Sequence, residues 1–328
     1  MLFNVEGVVI RTVPYGETHA VVTLLTPAGT LGVMARGAKR PQSRLAAGVQ
    51  LCVQGIYTVY RGRGMGNVQQ VEVTRARRAL REDLEKAAYA AYFCELAAAV
   101  AEEYPNGSEM WFQLFCGALN RLEEDRDAPE VLARIWEAKV LLGLGAAPDW
   151  RRCAVCGSPL MPPSGKGERP AAGAEAVGTA REQADGADGA DGADGAASQG
   201  EVPAPAVWYS PVHGGLACDA CARANGGGRA EGEGGAVFAS SPPPPERWMP
   251  VPPGLPHILH QLTWVPWDRL GRIRLGPATL RALDRVLRVQ LREFGGISPR
   301  SREFLDTLGR LEAESRRLGR RRDGEKQT

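Results

Sequence analysis

Residues 5–44 read "VEGVVIRTVPYGETHAVVTLLTPAGTLGVMARGAKRPQSR". Runs rich in Val, Ile, Leu and Thr at 3–13, 20–26 and 29–35 are broken by the turn-like stretches "PYGET" and "TPAG". Their partial alternation is the pattern of strands with one buried face. Two more such runs, 49–60 and 68–74, follow on either side of "RGRGMGN". Five short strands in about 75 residues, with one longer connection after the third, predict a small closed barrel. An OB-fold is the best-known five-stranded candidate, and an SH3-like barrel competes on strand count.

The rest of the 328 residues changes character from Leu84 onward. "LEKAAYAAYFCELAAAVAEE" is Ala-rich and stops at "YPNGS". "SEMWFQLFCGALNRLEE" begins at Ser108, an expected N-cap. "APEVLARIWEAKVLLGLG" has a proline near its first turn and ends at Gly143 and Gly145. Three such helices predict a bundle. A later stretch, "GPATLRALDRVLRVQLREFGG", places Leu280, Leu283, Leu287, Leu291 and Phe294 on one face. Arg281, Arg285, Arg288 and Arg292 form a separate stripe. The stripe reads either as the wet face of a core helix or as a second electrostatic footprint.

The expected organisation is an α+β multidomain chain. Residues 1–80 form the barrel, 81–150 the first helical part, and 151–222 a cysteine knuckle. A disordered insertion of about 160–205 interrupts the knuckle, with four consecutive ADG triplets from Ala184 to Gly195. A flexible loop (223–250), a second helical part (251–318) and a basic tail (319–328) complete the chain.

The net charge of +2 hides an asymmetry. From Thr18 to Val71 there is no Asp or Glu, while the stretch from Glu82 to Glu137 is acid-rich and the C-terminal region is again basic. Basic ends around an acidic middle point to a polyanion partner, most simply nucleic acid. No apolar run approaches the roughly 18 residues of a membrane span. The N-terminus lacks the pattern of a secretory leader, so the expected location is the cytoplasm.

Seven cysteines include two CxxC pairs, "CAVC" at 153–156 and "CDAC" at 218–221. Each pair sets two thiolates on one tight turn, and together they make a four-cysteine site for one structural Zn²⁺ with Cys153, Cys156, Cys218 and Cys221 as ligands. The 61 residues between Cys156 and Cys218 exceed the usual ribbon gap of about 15–20. The longer loop costs roughly 1 kcal/mol in closure entropy, against on the order of 10 kcal/mol from structural zinc. Four thiolates leave no open coordination position, and no HExxH or deaminase motif is present, so no catalytic residue is expected. His213 is a minor alternative ligand, and His257 with His260 is a weak pair.

Arg36, Lys39, Arg40 and Arg44 fall in the acid-free connection after the third strand. Arg61 and Arg63 lie in a loop between the last two strands, where an OB-fold contacts nucleic acid. The Gly62-Gly64-Gly66 spacing there is no dinucleotide motif, because a strand and not a helix follows. Tyr15, Tyr57 and Tyr60 are candidates for base stacking, weighed against ordinary half-buried strand positions.

The barrel stretch quoted above, with "VLLGLGAAPDWRRCAVCG", "GGLACDACA" and "RSREFLDTL", resembles the RecO family of bacterial recombination mediators. The resemblance spans both ends of the chain and fails in the two low-complexity loops. It implies an N-terminal OB-fold that binds single- and double-stranded DNA, a helical domain and a structural zinc site. It implies strand annealing, and action with RecR in helping RecA displace single-stranded-DNA-binding protein, whose C-terminal tail would dock on the helical region. That role places the protein with the nucleoid. Carried over by position, the DNA contacts would be Arg36, Lys39, Arg40 and Arg44, with Arg11, Arg61 and Arg63. Two departures stand out. The zinc loop is far longer than is usual in the family, and some members lack the cysteines. The competing readings are a zinc-containing protein-interaction scaffold and an RNA-binding protein.

Overall fold

The computed structural model describes residues 1–103, 109–161, 206–225, 248–311 and 314. Ser108, most of the expected insertion (162–205), most of the following loop (226–247) and the basic tail lie outside these residues. The chain divides into two compact units: Met1–Ala147 with Gln261–Leu270 and Leu283–Thr328, and Pro148–His260 with Gly271–Ala282.

The first unit opens with five strands, β1 (Leu2–Tyr15), β2 (His19–Thr26), β3 (Gly29–Ala35), β4 (Gln54–Tyr60) and β5 (Gly66–Arg75). They close into a barrel in the order β1-β2-β3-β5-β4, an OB-like architecture. All pairings are antiparallel except β3–β5, whose parallel ladder comprises Val33–Gly66 and Met34–Asn67. β1 is long enough to serve two neighbours. Leu2 to Val8 pairs with β4, and Val8 to Tyr15 pairs with β2, with a shift in register between Val9 and Arg11. Such a bulge bends a strand and lets a sheet curl closed. Alternation sends Ala20, Val22 and Leu24 inward to a core shared with Val9, Val33, Tyr57, Val59 and Val68.

The fourth strand starts at Gln54, five residues later than its apolar pattern predicts. Residues 49–53 make turns instead. Cys52 sits at φ 65° and Val53 N–H returns to Gln50 O. The apolar side chains Val49 and Val53 are still buried, so hydrophobicity there reports burial and not pairing.

A short helix α1 (Ala79–Glu82) leads to α2 (Leu84–Glu103), α3 (Glu109–Glu123) and α4 (Pro129–Gly143). Proline sits at the start of α4, where its missing N–H costs nothing, and Gly145 at φ +68° lets the chain turn away after its end. Trp136 of α4 is fully buried, stacked on Trp111 at 4.9 Å, with Phe93 and Phe115 beside it. Buried Arg77 ties the barrel to these helices, donating to Cys52 O, Gln54 Oε1 and Asn120 Oδ1.

The second unit holds β6 (Val207–Ser210), β7 (Gly215–Cys218), the short helix α5 (Asp219–Ala224) and β8 (Met249–Val251), in a sheet of order β7-β6-β8. Further along the chain come helices α6 (Leu255–Trp264) and α7 (Pro277–Glu293), and residues 301–311 are helical. In α7, Leu283, Leu287 and Leu291 are buried as their spacing predicts, whereas Phe294 remains 41% exposed just beyond the helix end. No helix among the described residues is long and apolar enough to cross a membrane.

Candidate nucleic-acid interface and metal centre

The connection from β3 to β4 runs over residues 36–53 as consecutive turns. Arg40 N–H donates to Gly37 O, Ser43 N–H to Arg40 O, and Ala46 N–H to Ser43 O. Ala38 is buried in the barrel core, so the chain on both sides of it is anchored. Two cross-links fix the start of the loop to β2 and the turn before it. Gly37 N–H donates to His19 Nδ1 at 2.9 Å, and Lys39 N–H donates to Thr18 O at 3.0 Å. A third reaches β5, where Arg36 Nε donates to Asn67 Oδ1 at 2.8 Å. His19 and Asn67 carry no signal in the sequence. Only the pairing of β2 and β5 with β3 brings them to the loop.

Arg36, Lys39, Arg40 and Arg44 are all exposed, as are Arg61 and Arg63 in the β4–β5 loop and Arg11 on β1. None of these seven side chains forms an ion pair among the described residues. The N-terminus joins the β4–β5 loop, since the Met1 ammonium donates to Arg61 O at 2.9 Å.

The tyrosine candidates separate. Tyr57 is fully buried, its hydroxyl donating to Gly48 O at 2.9 Å, and burial pushes its phenol well above the ordinary range. It cannot stack a base; it pins the loop. Tyr15 and Tyr60 are half exposed, at 58% and 50%.

In the second unit, the sulfurs of Cys153, Cys156, Cys218 and Cys221 all lie within 4.8 Å of one another. With Zn–S bonds of about 2.3 Å, a tetrahedral site has edges of about 3.8 Å, and the Cys156–Cys218 sulfurs stand 3.8 Å apart. The first knuckle closes through Cys153 N–H to Ser158 O and Gly157 N–H to Cys153 O, with Gly157 at φ +72°. The second is formed where β7 ends at Cys218 and α5 carries Cys221 in its first turn. Ala154 N–H donates to Leu216 O at 2.7 Å and joins the two knuckles. Backbone N–H groups of Cys156 and Cys218 both point at Cys153 Sγ, at 3.5 Å. Hydrogen bonding from Ser158 pulls the Cys156 thiol down to about 6, while neighbouring sulfurs push Cys221 up to about 12. This donor set fits a tetrahedral soft dication and leaves no fifth position for a substrate. His213 is outside the cluster, its Nδ1 2.8 Å from Ser210 Oγ.

A family described as "Recombination protein O N terminal" matches residues 1–77, and one described as "Recombination protein O C terminal" matches residues 81–185. Together they cover more than half of the chain. A protein named DNA repair protein RecO from Bacillus cytotoxicus is 40% identical over 157 residues, 48% of this chain and 62% of the relative. The namesakes from Bacillus pumilus and Exiguobacterium sibiricum are each 42% identical, over 48% and 49% of this chain and 61% and 65% of their own lengths. The chain thus spans a little over three-fifths of the length of the curated relatives it matches. On the matched barrel and helical regions, the chain belongs to the RecO family.

Proposed function

We propose that this chain is a DNA repair and recombination mediator that works by binding, without catalysis. The observation that carries the reading is the pinned, exposed loop on the barrel, whose cations Arg36, Lys39, Arg40 and Arg44 have no carboxylate partner among the described residues. Phosphates supply the missing counter-charge, and Arg11, Arg61 and Arg63 extend the track. The barrel binds single- and double-stranded DNA and anneals complementary strands. With RecR, the protein promotes RecA loading on single strands coated by single-stranded-DNA-binding protein, whose tail docks on the helical region. Its place of work is the cytoplasm, on nucleoid DNA.

The four cysteines hold one Zn²⁺, which supplies a structural clamp and no chemistry. Anaerobic chelation is expected to release one zinc per chain and loosen the knuckle, while single-strand affinity stays within about twofold of the loaded protein. A strong loss of affinity on chelation would place the knuckle in the DNA site instead.

The direct test is annealing of complementary strands coated with their cognate binding protein. Added protein is expected to accelerate it. No acceleration, or a preference for RNA over DNA of equal length, overturns the reading. With about six phosphates neutralised, the log–log salt slope on single strands is expected near −4.

A further inference from the structure

The ladder between β2 and β3 ends at the pair Ala20–Ala35. Past that pair a side chain takes over as acceptor, since Gly37 N–H donates to His19 Nδ1 at 2.9 Å. Gly37 is the pivot at which the chain leaves β3 for the basic loop. Its φ of +69° is one that L side chains rarely adopt. The residue is held on both sides: its C=O accepts from Arg40 N–H at 3.1 Å, and its N–H is held by the imidazole. Lys39 N–H is tied to Thr18 O, right beside the histidine. The backbone that carries Arg36, Lys39 and Arg40 is thus anchored at a titratable ring.

The bond fixes the protonation state it needs. Nδ1 accepts only while it carries no proton, so the single proton of the neutral ring sits on Nε2. A second proton turns Nδ1 into a donor aimed at another donor, and the bond is lost. Imidazole is the side chain that ordinarily changes charge between about pH 5 and 8. The other three histidines, His213, His257 and His260, all lie in the second unit, so His19 is the one imidazole of the barrel. The titratable and charged side chains on the segments around it are Tyr15, its partner on β1, Glu17 in the preceding turn, and Arg36, Lys39 and Arg40 on the loop.

We propose that His19 is a proton-sensitive latch on the DNA-binding loop: neutral, it holds the loop in its binding posture, and protonated, it lets go. It is a positioning residue, acting through Gly37 and not by touching DNA. This inference rests on the DNA-binding reading above and adds a regulation to the same site. Two effects of the proton oppose each other. Apparent affinity falls with the fraction of chains that hold the binding posture. The added charge attracts phosphate. With the bond gone, DNA itself must order several backbone residues, which outweighs one added phosphate contact. DNA therefore binds the unprotonated form more tightly, and affinity is full above the imidazole titration and falls as pH drops through it.

The test is anisotropy on oligo(dT), whose base does not titrate in this range, at about pH 7.5 and about pH 5.5 and constant salt. Wild type, His19→Asn and His19→Lys are compared, with circular dichroism confirming the fold of each. Asparagine sets an amide oxygen one bond from Cγ, as Nδ1 is, and takes no proton there. Lysine carries the charge and has no acceptor. The wild type is expected to lose roughly threefold or more in affinity at the lower pH. His19→Asn is expected to match the wild type at the higher pH and to stay level at the lower. His19→Lys is expected to bind at both values about as weakly as the acidified wild type, despite its charge. A wild type that stays level, an equal fall in wild type and His19→Asn, or a His19→Lys variant that binds more tightly than the wild type overturns the latch while leaving DNA binding intact. A wild type that binds no oligo(dT) at either value overturns the DNA reading itself, and this inference with it.

Discussion

Arginine recurs at close spacing in the barrel loop at 36–44 and again along helix α7. Along the chain the two look alike; in the fold their partners differ. Of the loop arginines, Arg36 alone has a side-chain partner among the described residues, the neutral amide of Asn67. On α7, Arg288 Nη2 lies 2.8 Å from Asp306 and 3.6 Å from Asp284, and Arg292 Nε lies 2.7 Å from Glu293. Only Arg281 and Arg285 of that stripe stand exposed without an ion pair among the described residues. Beneath the helix, Arg134 and Arg302 close on Asp284 and on Glu137, which also accepts from Tyr92 at 2.6 Å. Arginine density is therefore a poor guide to uncompensated positive charge. What distinguishes the loop is that all three of its arginines lack a carboxylate partner among the described residues, against two of the four on α7.

The largest effect expected from breaking this contrast is on the paired side. Glu137→Ala takes from Arg134 and Arg302 one of the two carboxylates they share, leaving Asp284 between both, and chemical denaturation is expected to show a loss of about 3–5 kcal/mol. Unchanged stability would mean the cluster is not held as described.

On the open side, Lys39→Ala with Arg40→Ala is expected to leave stability within about 0.5 kcal/mol. Removing two phosphate contacts is expected to make the single-strand salt slope shallower by about 1.4. Normal binding by this variant would show that the loop is not the interface.

A third cation tests the middle ground. Lys139 is buried, with Nζ donating to Val265 O at 2.6 Å and lying 5.5 Å from the Trp267 ring centre. Desolvation pulls its pKa down to about 8 from the usual 10.5. Because the folded value is the lower one, the unfolded chain binds more protons between these values. The Lys139 contribution to stability therefore rises as pH goes from about 8 to 10.5. Lys139→Met is expected to remove that rise, measured as the difference between the two stability–pH curves.

The smallest effect is at Arg288, whose side chain is 40% exposed. Arg288→Ala is expected to cost about 0.2–1 kcal/mol and to leave DNA affinity unchanged. A drop in affinity would make α7 a second DNA footprint.

Much of the molecule is legible in its residues. β3 matches its apolar run at both ends, because alternation and turn residues act over a few neighbours. The four cysteines are readable for a similar reason, since CxxC sets the geometry of each half-site locally. The start of the fourth strand is not, because Val49 and Val53 are buried without being paired, and apolar character alone cannot separate the two. Tyr57 looks like its exposed neighbour Tyr60 along the chain, yet the single step of three residues turns it inward. The adjacent glutamines at 69 and 70 interrupt the alternation, which is the available sign of a bulge.

By itself the sequence determined the closed barrel, the helical core, the two cysteine knuckles and the acid-free basic stretch, all set by short-range periodicity, spacing and composition. Tertiary structure alone decided which charges stay open. It set Asp306 against Arg288, left Arg40 and Arg44 without a carboxylate among the described residues, and drew the loop onto β5 at Gly48. The reason is physical: ion pairing and close approach depend on distances across the fold, between residues that the chain itself keeps far apart.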